Sequence, residues 1–354
     1  MYSVSIIIEQ SQGLSDNMRL AALPNDRIIL VLGAPRSGTS WLGKAFDSHP
    51  DVILRHEPDT VLRETGIPGV CPPGEVDRHI AIARHYLHRL ADVRTLKTSG
   101  QLPHYPKNFQ RPLARYARTG LVLGLHCAEK ALGLRQALRQ VPIPDAIRGG
   151  DISGVRLVIK SVSSLGRARL FAQALPGVRI VHLIRSPFGQ VASVLRGLQQ
   201  HRFEDPSAVE EVLLTRLAEK YGLSLRRMQA MPLVEQLAWH WSIMNELALE
   251  DLADVPNVQI IRYMDMVLDP IDQTKQIFAG CDLPWHDQTT RFLRNSTQFS
   301  GPDLYYQVYK NGAAPLFKWR QELAKDDIGR ILDVVKSSPV SKIYPELDGW
   351  AATA

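Results

Sequence analysis

A chain of 354 residues, 45% of them hydrophobic, is long enough for one large α/β domain or two small ones. With 42 basic against 36 acidic residues the net charge is +6, which suits an anionic cofactor or acceptor, and no Lys/Arg block or aromatic-interleaved stripe marks a nucleic-acid surface. The three cysteines, Cys71, Cys127 and Cys281, lie too far apart for a disulfide framework or a metal knuckle, and no run approaches the ~20 apolar residues of a membrane span.

Residues 1–25 read as an N-terminal arm, with no basic region ahead of the short apolar patch at 4–8 and hence no signal peptide. The chain is organised around the segment at 27–59. Its continuous apolar run at 28–32 reads as a strand buried on both faces. The turn Gly33-Ala34-Pro35-Arg36-Ser37-Gly38 comes next, and 39–46 reads as a helix with Trp41, Leu42 and Ala45 on one side. Strand, Gly-rich turn and helix N-terminus make an anion site, because the first N–H groups of the helix have no partner inside it and its dipole favours negative charge.

The spacing nearly matches the phosphate loop of nucleotide-triphosphate enzymes, G-x-x-x-x-G-K-[ST]. Thr39 stands where that loop has its Lys, and Ser40 follows. Losing the Lys argues against a kinase or ATPase. Arg36 inside the loop instead offers a planar fork for a phosphate or sulfonate oxygen pair, with Ser37, Thr39 and Ser40 as hydroxyl donors and no need for a metal.

A short strand at 52–54 leads into Arg55-His56-Glu57-Pro58, polar residues at the strand end where ligands bind in open α/β sheets. Residues 60–150 read as a helical insertion: a Pro/Gly loop at 66–74, a helix at 75–93 carrying His85, His88 and Arg89, and a basic loop at 103–118. A metal site from His79, His85 and His88 lacks a carboxylate or Cys at ligand spacing. The insertion is either a solvated addition or a lid over the acceptor. Strands at 155–159, ending at Lys160-Ser161, and at 178–184, ending at Arg185-Ser186-Pro187, alternate with helices at 165–174 and 188–198. Helices at 212–227 and 233–252 precede a fifth strand at 258–261, then Arg262-Tyr263-Met264-Asp265 and helices at 270–278 and 326–336. The pattern predicts an α/β fold, a P-loop-type parallel sheet flanked by helices with a helical insertion, in a single domain over 1–354.

The segment P-R-S-G-T-S-W-L after a strand resembles the 5′-phosphosulfate loop of sulfotransferases that use 3′-phosphoadenosine 5′-phosphosulfate (PAPS). The following D-S-H-P-D-V-I-L-R-H-E-P is similar to the carbohydrate 6-O-sulfotransferases. The resemblance implies that Arg36, Ser37, Gly38, Thr39, Ser40 and Trp41 bind the cofactor's 5′ end, and that Arg185 and Ser193, eight residues apart, hold its 3′-phosphate. It implies that R-Y-M-D-M, with Tyr263, stands where the family shows R-Y-E-D-L. Met264 replaces the usual acid there, and Asp265 is as fit for capping as for function. It implies that Lys318, in a late K-W pair behind the Tyr-rich run at 305–310, meets a cofactor phosphate. Without the N-terminal anchor of Golgi relatives, the expectation is a soluble, cytoplasmic enzyme.

In that reading Glu57 is the base, at the Glu-Pro position of the family, with a pKa raised by burial to about 6. His56 is the rival base, and strand alternation would admit only one of the two to the site. Lys160 resembles a catalytic Lys of the tyrosylprotein sulfotransferases. The implied reaction is transfer of a sulfuryl group to a hydroxyl of a carbohydrate or glycolipid. Small-molecule, phenolic or tyrosine acceptors stay open, as do an atypical P-loop kinase and a non-catalytic nucleotide-binding protein.

Overall fold

The computed structural model describes residue 20 and residues 22–148, 152–201, 208–297 and 314–353. Most of the arm expected over 1–25 and all of the run at 305–310 lie outside the described residues.

The five apolar runs form one parallel sheet: β1 (Ile28–Leu32), β2 (Val52–His56), β3 (Arg156–Ser161), β4 (Arg179–Ile184) and β5 (Val258–Arg262), in the order β2-β3-β1-β4-β5. The principal helices in chain order are α1 (Thr39–Asp47), α2 (Val76–Ala91), α3 (Pro112–Leu132), α4 (Ala168–Ala174), α5 (Pro187–Gln199), α6 (Leu233–Leu252), α7 (Tyr263–Leu268), α8 (Pro270–Gly280), α9 (Asp287–Thr297) and α10 (Lys325–Lys336). Successive side chains on a strand point to opposite faces, so β1 feeds two cores. Ile28, Leu30 and Leu32 pack with α2, α4 and α6, whereas Ile29 and Val31 pack with α1, α8 and α9. Burial on both faces explains why β1 is uninterrupted hydrocarbon. The chain leaves β1 toward β2 and leaves β4 toward β5, so a crevice opens between the carboxyl ends of β1 and β4, where open α/β sheets take ligands.

The insertion covers the outer edge of β2. Arg55, buried in that strand, is held by both oxygens of Asp145 at 3.0 and 2.6 Å and donates to Ala91 O at 2.7 Å. A bidentate pair of this kind offsets the desolvation of a guanidinium inside the protein. Lys107 fastens the insertion's loop to the turn before β2, donating to Asp47 Oδ1 at 3.1 Å and Val52 O at 2.8 Å.

Three expectations differ from what is observed. The helix at 212–227 is broken into Ala208–Leu213, Arg216–Lys220 and Leu225–Ala230, with Gly222 left-handed at φ 59° in the last gap. The basic loop expected to run to 118 ends at Pro112, whose fixed φ starts α3. Asp265 caps no helix; its carboxylate lies 3.5 Å from Arg262. Among the described residues no helix is long and apolar enough to cross a membrane.

Candidate functional site: an anion cradle facing a buried ion pair

The turn after β1 is shaped by positions that tolerate no ordinary side chain. A Cβ on Gly33 would fall 2.6 Å from Ser37 Oγ and 2.7 Å from Leu183 O. Gly38 has φ 103°, and a Cβ there would sit 2.4 Å from the Tyr263 ring. Arg36 itself is left-handed at φ 71°, a conformation non-glycine residues rarely adopt outside functional turns. Gly38 caps α1 with no side-chain hydrogen bond, so the helix's first N–H groups stay available to an anion. The contrast is α5, where Ser186 accepts from Gly189 N at 3.3 Å and closes the N-terminus. Ser37 is buried, and its Oγ has no hydrogen-bond partner. Such an orphan inside a Gly-rich turn is what a missing oxyanion would satisfy.

Residues far apart in sequence converge on this turn. Arg36 Nε donates to Ser193 Oγ at 3.1 Å, and Arg185 Nη1 donates to Arg36 O at 3.2 Å. The Arg185 guanidinium lies 5.1 Å from the centroid of the Tyr263 ring. Behind it, Trp241 Nε1 donates to Arg185 O at 2.9 Å, and Tyr344 Oη donates to Ile184 O at 2.9 Å. Thus β4's end is fixed from α6 and from the C-terminal region, which positions Arg185 at the crevice. Lys318 sits on the flank of α5: its Nζ is 3.8 Å from Glu322, which also pairs with Arg196, one turn beyond Ser193. Trp319 is buried against Phe188, with ring centroids 4.5 Å apart. Trp41 spends its indole N–H on Ser296 Oγ at 3.0 Å, in the packing of α1 on α9.

The second half of the site stands at the ends of β2 and β3. Lys160 is paired with Val31 across the sheet, so it lies beside the start of the cradle. Its side chain is 1% exposed and its Nζ donates to Glu57 Oε1. Glu57 leaves the strand with φ 49°, and its N–H donates to Lys160 O at 2.8 Å. The side chain is therefore aimed by a left-handed turn rather than by strand alternation. For that reason His56 is not sent to the opposite face: its Nε2 is 3.7 Å from Glu57 Oε1, so both residues enter the same site.

The expected pKa near 6 for Glu57 is not what this environment produces. Burial pushes the carboxyl up, but the Lys160 charge, helped by His56, the Lys160 hydrogen bond and Lys97, pulls it down to about 2. His56 is lowered to about 3 by burial and then by Lys160, so it is neutral at pH 7. Lys160 is itself lowered, chiefly by burial, against the raising effect of Glu57. Arg36 is near enough to lower it further.

The profile of the Sulfotransferase family matches residues 28–287, which takes in the cradle, the Glu57–Lys160 pair and Arg185. The chain belongs to the sulfotransferase family. It is similar to carbohydrate sulfotransferase 1 of Homo sapiens, at 24% identity, and of Rattus norvegicus, at 23%; both alignments cover 84% of this chain and 74% of the relative. Among solved structures it matches the sulfotransferase domain from the curacin biosynthetic pathway, with TM-score 0.40, 15% identity and coverage of 89% of this chain and 98% of that one. It also matches mouse sulfotransferase SULT7A1 complexed with PAP, with TM-score 0.41, 11% identity and coverage of 97% and 95%. The kinase and non-catalytic alternatives fall with this result.

Residues that sequence reading passed over tie this corner of the sulfotransferase together. Asp59, buried just after Glu57, accepts hydrogen bonds from Ser161 and Ser164, the latter at 3.3 Å, and so ties the Glu57 turn to the end of β3. Lys97 reaches from the insertion to Thr60 Oγ1. The only sequence hint was the acid at 59 next to the Glu-Pro pair; its partners lie about a hundred residues on. Among the described residues no group of His, Cys, Asp or Glu could hold a metal ion.

Proposed function

We propose that this enzyme moves a sulfuryl group from PAPS to a hydroxyl of a carbohydrate or glycolipid, with Glu57 as the base. The observation that carries the reading is the meeting of Arg36, Ser193 and Arg185 over a turn whose buried Ser37 hydroxyl lacks a partner, with the Glu57–Lys160 pair alongside. The residues fit the donor. The open start of α1, Ser37 and Arg36 suit its 5′ end, and Arg185 and Ser193 suit a further phosphate. Bound PAPS supplies an activated sulfuryl group on a phosphate leaving group. Similarity to carbohydrate sulfotransferase 1 supports a sugar hydroxyl as acceptor.

The Glu57–Lys160 pair defines what the chain does in the reaction. With Lys160 on its carboxylate, Glu57 is too weak a base to take a proton from a hydroxyl. Negative charge in the cradle gives Lys160 and Arg36 a second partner. As Lys160 turns to that charge, the burial of Glu57 reasserts itself and its basicity rises. The base thereby becomes competent when the donor is in place, and Lys160 and Arg36 meet the charge growing on the leaving oxygen. The test is transfer of a radiolabelled sulfuryl group from PAPS to a panel of glycosides and aryl alcohols by wild type and Glu57→Gln. Labelled glycosides from wild type alone support the reading. Equal labelling by both proteins removes Glu57 from the chemistry, and labelling confined to aryl alcohols removes the sugar acceptor.

A further inference from the structure

Helix α3 turns its apolar side outward. Its polar side faces the protein: Arg118 donates to Ser99 O at 2.6 Å and to Pro144 O at 3.0 Å, His126 bonds Gly100 O at 3.0 Å, and Thr119 bonds His104 at 3.1 Å. Val122 is its one buried apolar residue. A helix on a water-facing surface ordinarily shows the reverse arrangement. Outward stand Leu113, Tyr116, Leu121, Leu123 and Leu132, with Leu134 just past the helix, exposed by 84, 64, 40, 46, 64 and 54%. Six of the thirteen large hydrophobic side chains exposed among the described residues thus share one helix and its end. That is a patch, and not the ordinary scatter of a protein surface.

Positive charge is gathered in the same part of the chain. Residues 78–148 hold thirteen Lys and Arg against three Asp and Glu. The whole chain has 42 against 36, so the rest of the molecule carries a small negative excess. The three acids are covered. Asp145 is buried against Arg55, Asp92 is half-buried, and Glu129 is held by Arg139 and Arg135 at 3.0 and 3.2 Å. No carboxylate is exposed between 78 and 148, whereas Arg111, Lys130, Arg135 and Arg148 are.

The two features meet at both ends of α3. At its start Arg111 and Leu113 stand with Tyr116, whose ring centroid is 4.7 Å from the Arg115 guanidinium. Arg148 is brought to the same end, since its N–H donates to Phe109 O at 2.7 Å. At the other end Lys130 and Arg135 flank Leu132 and Leu134. The 21 residues of the helix set the two clusters about 30 Å apart. Between them the outward residues are uncharged and mostly small, Ala117, Gly120, Gly124 and Cys127 among them, and offer a folded partner little to recognise by directional hydrogen bonds.

We propose that α3 rests on the surface of an anionic phospholipid bilayer. The leucines and Tyr116 enter the boundary between headgroups and acyl chains, and the cations at either end of the helix meet lipid phosphates. A flat anionic surface matches both features at once: it takes up apolar side chains without needing hydrogen bonds, and it attracts a basic segment over its whole length. A soluble polyanion would meet the cations and leave the leucines in water. A second copy of the chain would set cations against cations.

The experiment is flotation of the full chain with vesicles of phosphatidylcholine alone and with vesicles carrying about one-quarter phosphatidylglycerol. Wild type is compared with Leu113→Glu/Leu132→Glu and with Arg111→Glu/Lys130→Glu. All four positions are exposed, so both variants should unfold at the wild-type denaturant midpoint. Wild type is expected to float with the anionic vesicles, to float less in high salt, and to ignore phosphatidylcholine alone. Each variant should lose about tenfold or more in partitioning. The dependence on lipid charge and salt is read on wild type alone, so a destabilised variant does not blunt the test. Wild type left unbound by the anionic vesicles overturns the proposal, and so does equal flotation of all three proteins. Loss in the charge variant alone reduces the contact to attraction for any polyanion and removes the apolar docking. A wild type that ignores vesicles and has the mass of two chains by light scattering, with Leu113→Glu/Leu132→Glu at the mass of one, gives the face to a second copy. None of these outcomes bears on sulfuryl transfer, which is read by its own assay.

Discussion

The two halves of the site are built differently. The half at β1 and β4 is made of backbone: glycines at 33 and 38, a left-handed Arg36 and an uncapped helix start, with Arg185 and Ser193 added from the next element of the sheet. The half at β2 and β3 is made of side chains in a dry corner, Glu57 and Lys160, whose properties exist only as a pair. The first half is shaped by geometry. The second acts by electrostatics and depends on what else is bound. In the proposed reading the first half recognises the donor and the second transfers the proton, which mutation can separate.

The sharpest separation comes from the second half. Glu57→Gln is expected to cut turnover ~10²–10⁴-fold while leaving affinity for 3′-phosphoadenosine 5′-phosphate no weaker than in wild type, measured by steady-state kinetics beside calorimetry. Lys160→Ala is expected to lower turnover ~10²–10³-fold, as loss of a charge-stabilising donor does. It should also shift the acid limb of kcat/KM. With Lys160 gone, burial is opposed only by His56 and Lys97, and the limb moves to higher pH than in wild type; a limb that stays put would show the pair is not what sets Glu57's basicity. On the other half, Arg185→Ala is expected to weaken nucleotide binding ~10–100-fold, from the ~1.5–3 kcal/mol of a hydrogen bond to a charged group.

Smaller effects sharpen the same contrast. Gly38→Ala places a methyl against Tyr263 at a φ of 103° and is expected to cost ~1–3 kcal/mol of stability, read by denaturant titration, together with nucleotide affinity. Glu57 also contributes to the pH dependence of stability. Its pKa falls from 4.5 to about 2 on folding, so the folded state binds fewer protons than the unfolded one. That contribution is complete above pH 4.5 and is lost as pH falls toward 2. Glu57→Gln should flatten this limb of the stability profile.

The difference between the halves also governs what could be read from the sequence. The sheet was legible because both-face burial writes itself as the uninterrupted apolar run at 28–32 and the mostly apolar segment at 178–184. The cradle was legible because its shape is imposed by Gly33, Arg36 and Gly38, neighbours in the chain. The electrostatics of Glu57 were not, since the partner that lowers its pKa lies 103 residues away. The same holds for Asp59 with Ser161 and for Arg55 with Asp145. Strand alternation failed for His56 and Glu57 because a left-handed residue ends the pleat there. The break-up of 212–227 was hidden by helical periodicity that continues through Gly222.

The division between the halves is tested most directly by calorimetric titration of 3′-phosphoadenosine 5′-phosphate, without metal, into wild type, Arg185→Ala and Glu57→Gln. The expected result is micromolar binding by wild type, at least tenfold weaker binding by Arg185→Ala, and affinity no weaker than wild type in Glu57→Gln. Binding that is untouched by Arg185→Ala and abolished by Glu57→Gln would contradict it, and so would a wild-type protein that ignores this nucleotide and binds ATP with Mg²⁺.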